Sequence, residues 1–193
     1  ADQIQGFFNI PVDHLYSSYL FLDYLKKLEL PNLIMATPDV GGTRRANAYA
    51  KQLNVDLAIC YKQRKTGVAN VVESMTVIGD VDGKDVVLLD DIIDTGGTLC
   101  KSSSMLMEKG AKSVRALCCH PVLSGKAYEN IDNSVLTELV VTDTIPLKQH
   151  SKKIKVLSVA PLLSRAIRNV HESGSISSLY RQAHQLNQTS LEI

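Results

Sequence analysis

The run Val86-Val87-Leu88-Leu89-Asp90-Asp91-Ile92-Ile93-Asp94-Thr95-Gly96-Gly97-Thr98 carries the strongest chemical signal in the chain. An apolar strand ends in two acids, a glycine-bearing turn follows, and a helix begins. The backbone N–H groups of Thr95, Gly96, Gly97 and Thr98 should therefore converge on one point at a helix N-terminus, where unpaired donors and the positive end of the dipole favour a dianion such as phosphate. Gly96 and Gly97 allow close approach of the backbone, and the hydroxyls of Thr95 and Thr98 can donate further bonds. Asp90 and Asp91 would repel a phosphate unless they address another part of the same ligand. Sugar hydroxyls suit them, which makes the composite ligand a sugar phosphate. The plainer alternative is that the acids cap the helix and the glycines only turn the chain.

Other segments carry weaker signals. Pro38-Asp39-Val40-Gly41-Gly42 ends a strand and opens a helix, so its amides can meet an anion while Asp39 offers a hard oxygen ligand for Mg²⁺; a structural turn has the same composition. Lys62-Gln63-Arg64-Lys65 is a basic run at the mouth of a loop, a pattern that is ordinarily just solvated. His120, before Pro121 at a strand end, reads as a packed or hydrogen-bonded residue in preference to a catalyst. No Gly-x-x-x-x-Gly-Lys-Ser/Thr run is present, so a nucleotide would have to be bound without a P-loop. Cys60, Cys100, Cys118 and Cys119 lack metal-ligand spacing and read as reduced, structural thiols.

These residues need elements to position them, and the chain supplies a regular alternation of apolar runs and amphipathic stretches, the mark of βαβ units around a mainly parallel sheet. Gln3–Ile10 and Leu33–Ala36 read as strands, and Thr43–Leu53, with Ala46, Ala50 and Leu53 at helical spacing, as a helix. Leu57–Tyr61 is the next strand, and residues 62–71 have no apolar period and read as a mobile loop. Met75–Asp80 and Asp85–Leu89 are two strands joined through Val81-Asp82-Gly83-Lys84, a turn built on an Asp-Gly pair. Thr98–Lys109 is a helix ended by Gly110. Ser113–Cys119, Leu136–Val141 and Lys155–Val159 are strands, Gly125–Ile131 is a short helix, and Pro161 opens a final helix to about His171. The polar tail after Arg181 has little periodicity.

Bulk properties narrow the class. The chain has 193 residues, 45% hydrophobic and 21% charged, with a formal net charge of +1. Such a balance implies neither disorder nor broad attraction to nucleic acid or membrane. No apolar run is long enough to span a bilayer and no leader pattern opens the chain, so a cytoplasmic protein is the expectation. The opening at Ala1, without an initiator methionine, reads as truncation or proteolysis.

The Asp90-to-Thr98 run resembles the phosphoribosyl-binding motif of type I phosphoribosyltransferases and of ribose-phosphate diphosphokinases. Other segments separate the two. Gln3-Ile4-Gln5-Gly6-Phe7-Phe8 with Ile10-Pro11-Val12-Asp13, Thr37-Pro38-Asp39-Val40-Gly41-Gly42, His120 to Ala127, Glu138 to Pro146 and Val156 to Leu163 are similar, in order, to the diphosphokinase family. That resemblance covers Ala1 to Tyr180 and implies an α/β fold of the type I phosphoribosyltransferase kind, a mainly parallel sheet flanked by helices.

It further implies transfer of the diphosphoryl group of ATP to the C1 hydroxyl of ribose 5-phosphate. Asp90, Asp91, Asp94, Thr95, Gly96, Gly97 and Thr98 would bind ribose 5-phosphate. Asp39, Gly41 and Gly42 would form a diphosphate loop, with Asp39 holding Mg²⁺, and Lys62 and Arg64 would act in a catalytic loop that closes over ATP. Gln5, Asp13, Ser175 and Ser177 would serve an effector site for inorganic phosphate or ADP. A homo-oligomer, a hexamer in the family, is implied, and much of the adenine pocket would lie in an N-terminal domain outside this chain. Residues 1–20 are then a segment of that domain or its linker, 21–160 the ribose 5-phosphate-binding domain, and 161–193 a C-terminal helix and tail packing on the N-terminal domain. The competing readings are a type I phosphoribosyltransferase that consumes phosphoribosyl diphosphate and a non-catalytic regulatory homologue.

Overall fold

In the computed structural model the described residues are 3–63 and 74–180. They build one seven-stranded sheet in the order β3-β2-β1-β4-β5-β6-β7. The strands are β1 (Leu33–Thr37), β2 (Leu57–Gln63), β3 (Ser74–Ile78), β4 (Asp85–Ile93), β5 (Ser113–Pro121), β6 (Glu138–Thr142) and β7 (Ile154–Leu157). All neighbours are parallel except β2 and β3. The mainly parallel α/β architecture expected from the alternation of patterns is the one observed, with strand and helix ends displaced by at most four residues.

The helices are α1 (Gln3–Phe7), α2 (Ser18–Lys27), α3 (Thr43–Leu53), α4 (Gly97–Glu108), α5 (Ala127–Asp132) and α6 (Ala160–His171). Central β4 is buried from Asp85 to Leu89, because a strand between two parallel neighbours is covered on both faces. On one face Ile34, Ala36, Ala58, Cys60, Val86, Leu88, Val114 and Ala116 meet Leu99, Met105 and Leu106 of α4 and Tyr128 and Ile131 of α5. Helix α3 packs on β1 and β2, with Ala46, Tyr49 and Ala50 buried.

This order fixes where a ligand can go. From β1 the chain crosses through α3 to β2, outward in one direction; from β4 it crosses through α4 to β5, outward in the other. Right-handed crossovers then place α3 and α4 on opposite faces, and the carboxyl ends of β1 and β4 flank the crevice where the order reverses. Both candidate anion loops leave the sheet at that point.

The chain divides into two compact units, one of Leu25–Ser158 and one drawn from the residues before and after it. The second unit has its own core, in which Leu162, Ala166 and Leu179 pack with Leu15, Tyr19, Ile176 and Tyr180.

Three local expectations change. Gln3–Ile10 is no strand: residues 3–7 form α1 and no strand of the sheet flanks them, so the helix satisfies internally the backbone groups that a lone strand would leave open. Helix α2, with Phe21, Leu22, Tyr24 and Leu25 buried, was not anticipated at all. The Asp-Gly turn forms, Lys84 N donating to Val81 O at 3.1 Å, but the strands it joins are not partners; β3 pairs with β2, and β4 lies between β1 and β5. Of the expected loop at 62–71, Lys62 and Gln63 end β2 and the remainder lies outside the described residues. The four cysteines are free, as read from spacing, and burial pushes the Cys60 thiol up to about 11.

Gly110 ends α4 at φ +91°, where an added Cβ would also press on the Asp82 carboxylate. Gly110→Ala should lower stability by about 1–3 kcal/mol, mostly through left-handed backbone strain. A urea titration measures this, and an unchanged midpoint would contradict the assignment of that cap.

Candidate functional site

Helix α4 begins without the usual side-chain cap. Its N-cap is Gly96, at φ +72°, with no side-chain acceptor, and no acid lies in its first turn. The first helical bond runs from Cys100 N to Gly96 O at 2.9 Å, so the amides of Gly97, Thr98 and Leu99 enter the helix without intrahelical acceptors. A Ser, Thr, Asp or Asn cap would ordinarily contribute about 1 kcal/mol here. A glycine leaves the amides open and permits the left-handed turn that gathers them. Thr95 and Thr98 are exposed beside them.

The loop is braced from a distance. Ser124 Oγ donates to Asp94 Oδ1, Ser124 N donates to Asp94 O at 3.0 Å, Leu123 N donates to Ile93 O at 3.1 Å, and Asn130 Nδ2 donates to Thr95 O at 2.9 Å. These contacts brace the turn against the segment from Leu123 to Asn130. They also give Asp94 a structural partner alongside its expected role. Ser124 lies in the family-like segment from His120 to Ala127 but was given no role there, and Asn130 has nothing in its own neighbourhood that marks a site.

The second loop repeats the device. Helix α3 has Gly42 as its N-cap, again without a side-chain cap and without an acid in its first turn. Asp39 Oδ1 accepts from Gly42 N at 2.9 Å, and Thr37 Oγ1 donates to Asp39 O at 2.8 Å. A Cβ on Gly42 would run into the Thr37 hydroxyl, and one on Gly41 would sit 3.2 Å from Asp39 Oδ1, so close packing demands glycine at the first position and favours it at the second. The hydroxyl of Thr43, the first residue of α3, is buried and has no hydrogen-bond partner among the described residues.

Between the loops lie the acids. Asp90 Oδ1 accepts from Asp91 N at 2.8 Å, and Asp91 Oδ1 accepts from Ile92 N at 3.0 Å. Arg45, from the first turn of α3, places Nη2 2.8 Å from Asp91 Oδ2 and so bridges the two halves of the crevice. Arg45 was missed in the sequence; its only signal was a basic pair, Arg44-Arg45, following the glycine loop.

The electrostatics follow from this crowding. Burial, with the negative charges of Asp91 and Asp39 adding to it, pushes the Asp90 carboxyl up to about 6. Burial also acts on Asp91, but the hydrogen bond and charge of Arg45 outweigh it and hold that carboxyl below its ordinary value. A cation would relieve the crowding. Hard oxygens are at hand in Asp39, whose Oδ2 has no hydrogen-bond partner among the described residues. No group of three or more potential metal-ligating side chains occurs among the described residues. An ion held at Asp39 would therefore take most of its ligands from phosphate oxygens and water, as Mg²⁺ commonly does.

The remaining candidates divide. Lys62 is in β2, paired in register with Met75 of β3, and Arg64 lies outside the described residues. His120 Nδ1 lies 2.9 Å from Thr144 Oγ1, matching the hydrogen-bonded reading. In the second unit Gln5 Nε2 donates to Val12 O at 3.3 Å and Ser175 Oγ lies 2.8 Å from Ser177 Oγ. Asp13 borders a largely apolar cavity of about 420 Å³ with Leu163, His171 and Ile176.

The family described as phosphoribosyl synthetase-associated domain matches residues 67–181. A ribose-phosphate pyrophosphokinase of Wolinella succinogenes is 57% identical over 180 residues, 93% of this chain and 58% of that protein. The enzyme of that name from Campylobacter jejuni is 55% identical with the same coverage. Among solved structures, a phosphoribosylpyrophosphate synthetase from Mycobacterium smegmatis superposes with a TM-score of 0.80 at 38% identity, over 90% of this chain and 57% of that one. The chain thus spans a little under three-fifths of the length of the relatives it matches.

Raised by its surroundings, the Asp90 carboxyl opposes folding when ionised. The unfolded residue ionises above about 3.9, the folded one only above about 6, so the cost is present in full above pH 6 and gone below about pH 4. Asp90→Asn keeps an acceptor for Asp91 N and should raise the melting temperature by about 2–4 °C at pH 7.5. The gain should shrink as pH falls from 6 to 4. A gain that grew on acidification, measured by thermal melts across that range, would contradict the assignment.

Proposed function

The chain belongs to the phosphoribosyl synthetase-associated domain family, and from that premise we propose that it forms the ribose 5-phosphate-binding part of a ribose-phosphate diphosphokinase. The observation that carries the reading is the pair of uncapped helix N-termini at the strand-order reversal, with Asp90 and Asp91 between them. A phosphate on one side, a diphosphate on the other and vicinal hydroxyls in the middle satisfy every open group there.

In the proposed reaction the C1 hydroxyl oxygen of ribose 5-phosphate bonds to the β-phosphorus of ATP. The bond from that phosphorus to the α,β-bridging oxygen breaks, AMP leaves, and the hydroxyl proton is released. The amides of Gly97 and Thr98 hold the 5-phosphate, and Asp90 and Asp91 accept hydrogen bonds from the ring hydroxyls. Positioning of this kind can lower a bimolecular barrier by up to ~7–11 kcal/mol. The Asp39-Gly42 loop receives the diphosphoryl group, the Thr43 hydroxyl being available as a donor beside it. Asp39 would hold Mg²⁺ together with phosphate oxygens, and the ion would supply charge neutralisation. Lys62 and Arg64 are proposed to offset the charge that develops during transfer.

The wider assignments are part of the same proposal. Residues 21–160 bind ribose 5-phosphate, while residues 1–20 and 161–193 associate with the portion of the relatives' length that this chain does not span. Gln5, Asp13, Ser175 and Ser177 contribute to a site for inorganic phosphate or ADP. The full-length protein is a cytoplasmic homo-oligomer, a hexamer as in the resembled family.

These 193 residues alone should bind ribose 5-phosphate weakly and produce no phosphoribosyl diphosphate; robust synthesis by this polypeptide would contradict the division of labour. In the full-length protein, Lys62→Ala should lower kcat by about 10²-fold or more with ATP and ribose 5-phosphate. Unchanged turnover would remove Lys62 from the machinery. Activity with phosphoribosyl diphosphate and a nucleobase, and none with ATP and ribose 5-phosphate, would overturn the reaction itself.

A further inference from the structure

Both oxygens of Asp91 are engaged by the protein itself. Oδ1 accepts the amide of Ile92 at 3.0 Å and Oδ2 meets Arg45 Nη2 at 2.8 Å. An aspartate on an exposed strand end otherwise samples several side-chain rotamers. Here a guanidinium 46 residues away in sequence selects one of them. Asp90 is a close neighbour of that carboxylate, and the charges of Asp91 and Asp39 both bear on Asp90.

Exposed ion pairs contribute little to stability as a rule, and both members of this one are substantially exposed. Its place is more telling than its strength. Arg45 belongs to the first turn of α3, directly after the Gly41-Gly42 loop, and reaches across to the acid pair at the end of β4.

Resting on the ribose 5-phosphate reading, we propose that Arg45 is a positioning residue of the pentose site: it fixes the orientation of Asp91 so that the remaining lone pairs of its carboxylate meet a sugar hydroxyl. Each carboxylate oxygen has two acceptor positions and the structure fills one on each, so the acid stays competent to bind while its rotation is arrested. Arginine suits the task better than lysine, because a planar guanidinium holds a carboxylate in a set direction and an ammonium does not. Arg45 acts through Asp91 and needs no contact with the ligand.

The test is a titration followed by amide chemical shifts. The 193-residue chain is compared as wild type, Arg45→Ala, Asp91→Asn and the double variant, against ribose 5-phosphate and against ethyl phosphate, which has the phosphate but no vicinal hydroxyls. Arg45→Ala should weaken ribose 5-phosphate about tenfold, the scale of one lost charge-assisted contact. Ethyl phosphate should change by less than about twofold, and the Arg45→Ala effect should vanish in the Asp91→Asn background. Equal losses for both ligands, an effect that persists without Asp91, or no effect on ribose 5-phosphate would each overturn the proposal while leaving the site reading intact. If the wild type binds ethyl phosphate as tightly as ribose 5-phosphate, or binds neither, the ribose 5-phosphate reading falls and the proposal with it. Should Arg45→Ala fail to fold, Arg45→Lys carries the same pattern with a smaller loss.

Discussion

Amides that open a helix must find acceptors, and in α4 those of Gly97, Thr98 and Leu99 have none among the described residues. Much of the surrounding structure serves that deficit. The sheet order brings the start of α3, which likewise has a glycine N-cap without a capping side chain, to the other side of one crevice. Ser124 and Asn130 brace the turn so that its donors stay gathered. Left-handed Gly96 supplies the bend, and the close approach at Gly42 leaves no space for a side chain against Thr37. A turn built only to connect a strand to a helix would have gained stability from a capping side chain.

The acids impose the opposite cost. Three carboxylates lie near one another with one guanidinium, and the burden falls unevenly: Asp91 is relieved by Arg45, while Asp90 is left where ionisation is unfavourable. A protein selected for stability alone would not keep such a group. Ligand hydroxyls and a cation both offer what Asp90 lacks, so the strain is consistent with a site held ready for them. The two terms are complementary. Open amides ask for an anion, crowded carboxylates ask for hydroxyls or a cation, and a sugar phosphate near a metal-bound diphosphate answers both.

How much of this was legible in the sequence depends on range. The strand that becomes β4, the glycines after it and the cap at Gly110 are local patterns that the structure reproduces, although β4 runs through the acids to Ile93 where a strand ending at Leu89 was expected. Helix α3 matches its expected span, Thr43–Leu53, because Ala46, Ala50 and Leu53 mark its spacing. What was missed depends on partners far away in sequence. Arg45 gains meaning from Asp91, Ser124 from Asp94 and Asn130 from Thr95, and none of these pairs is visible in a window of neighbours. Gln3–Ile10 misled for a related reason: a strand-like composition makes a strand only where another strand lies beside it. The Asp-Gly turn at Val81–Lys84 was read correctly as a turn, yet which strands pair was decided by burial across the sheet.

The central claim is that the α4 N-terminus and the β4 acids form one receptor for a phosphorylated pentose. A crystal of this chain soaked with ribose 5-phosphate tests it directly. Density for the phosphate should lie against the amides of Gly97 and Thr98, with the ring hydroxyls toward Asp90 and Asp91. Ordered ligand at another surface, with nothing bound at that turn, would contradict the account.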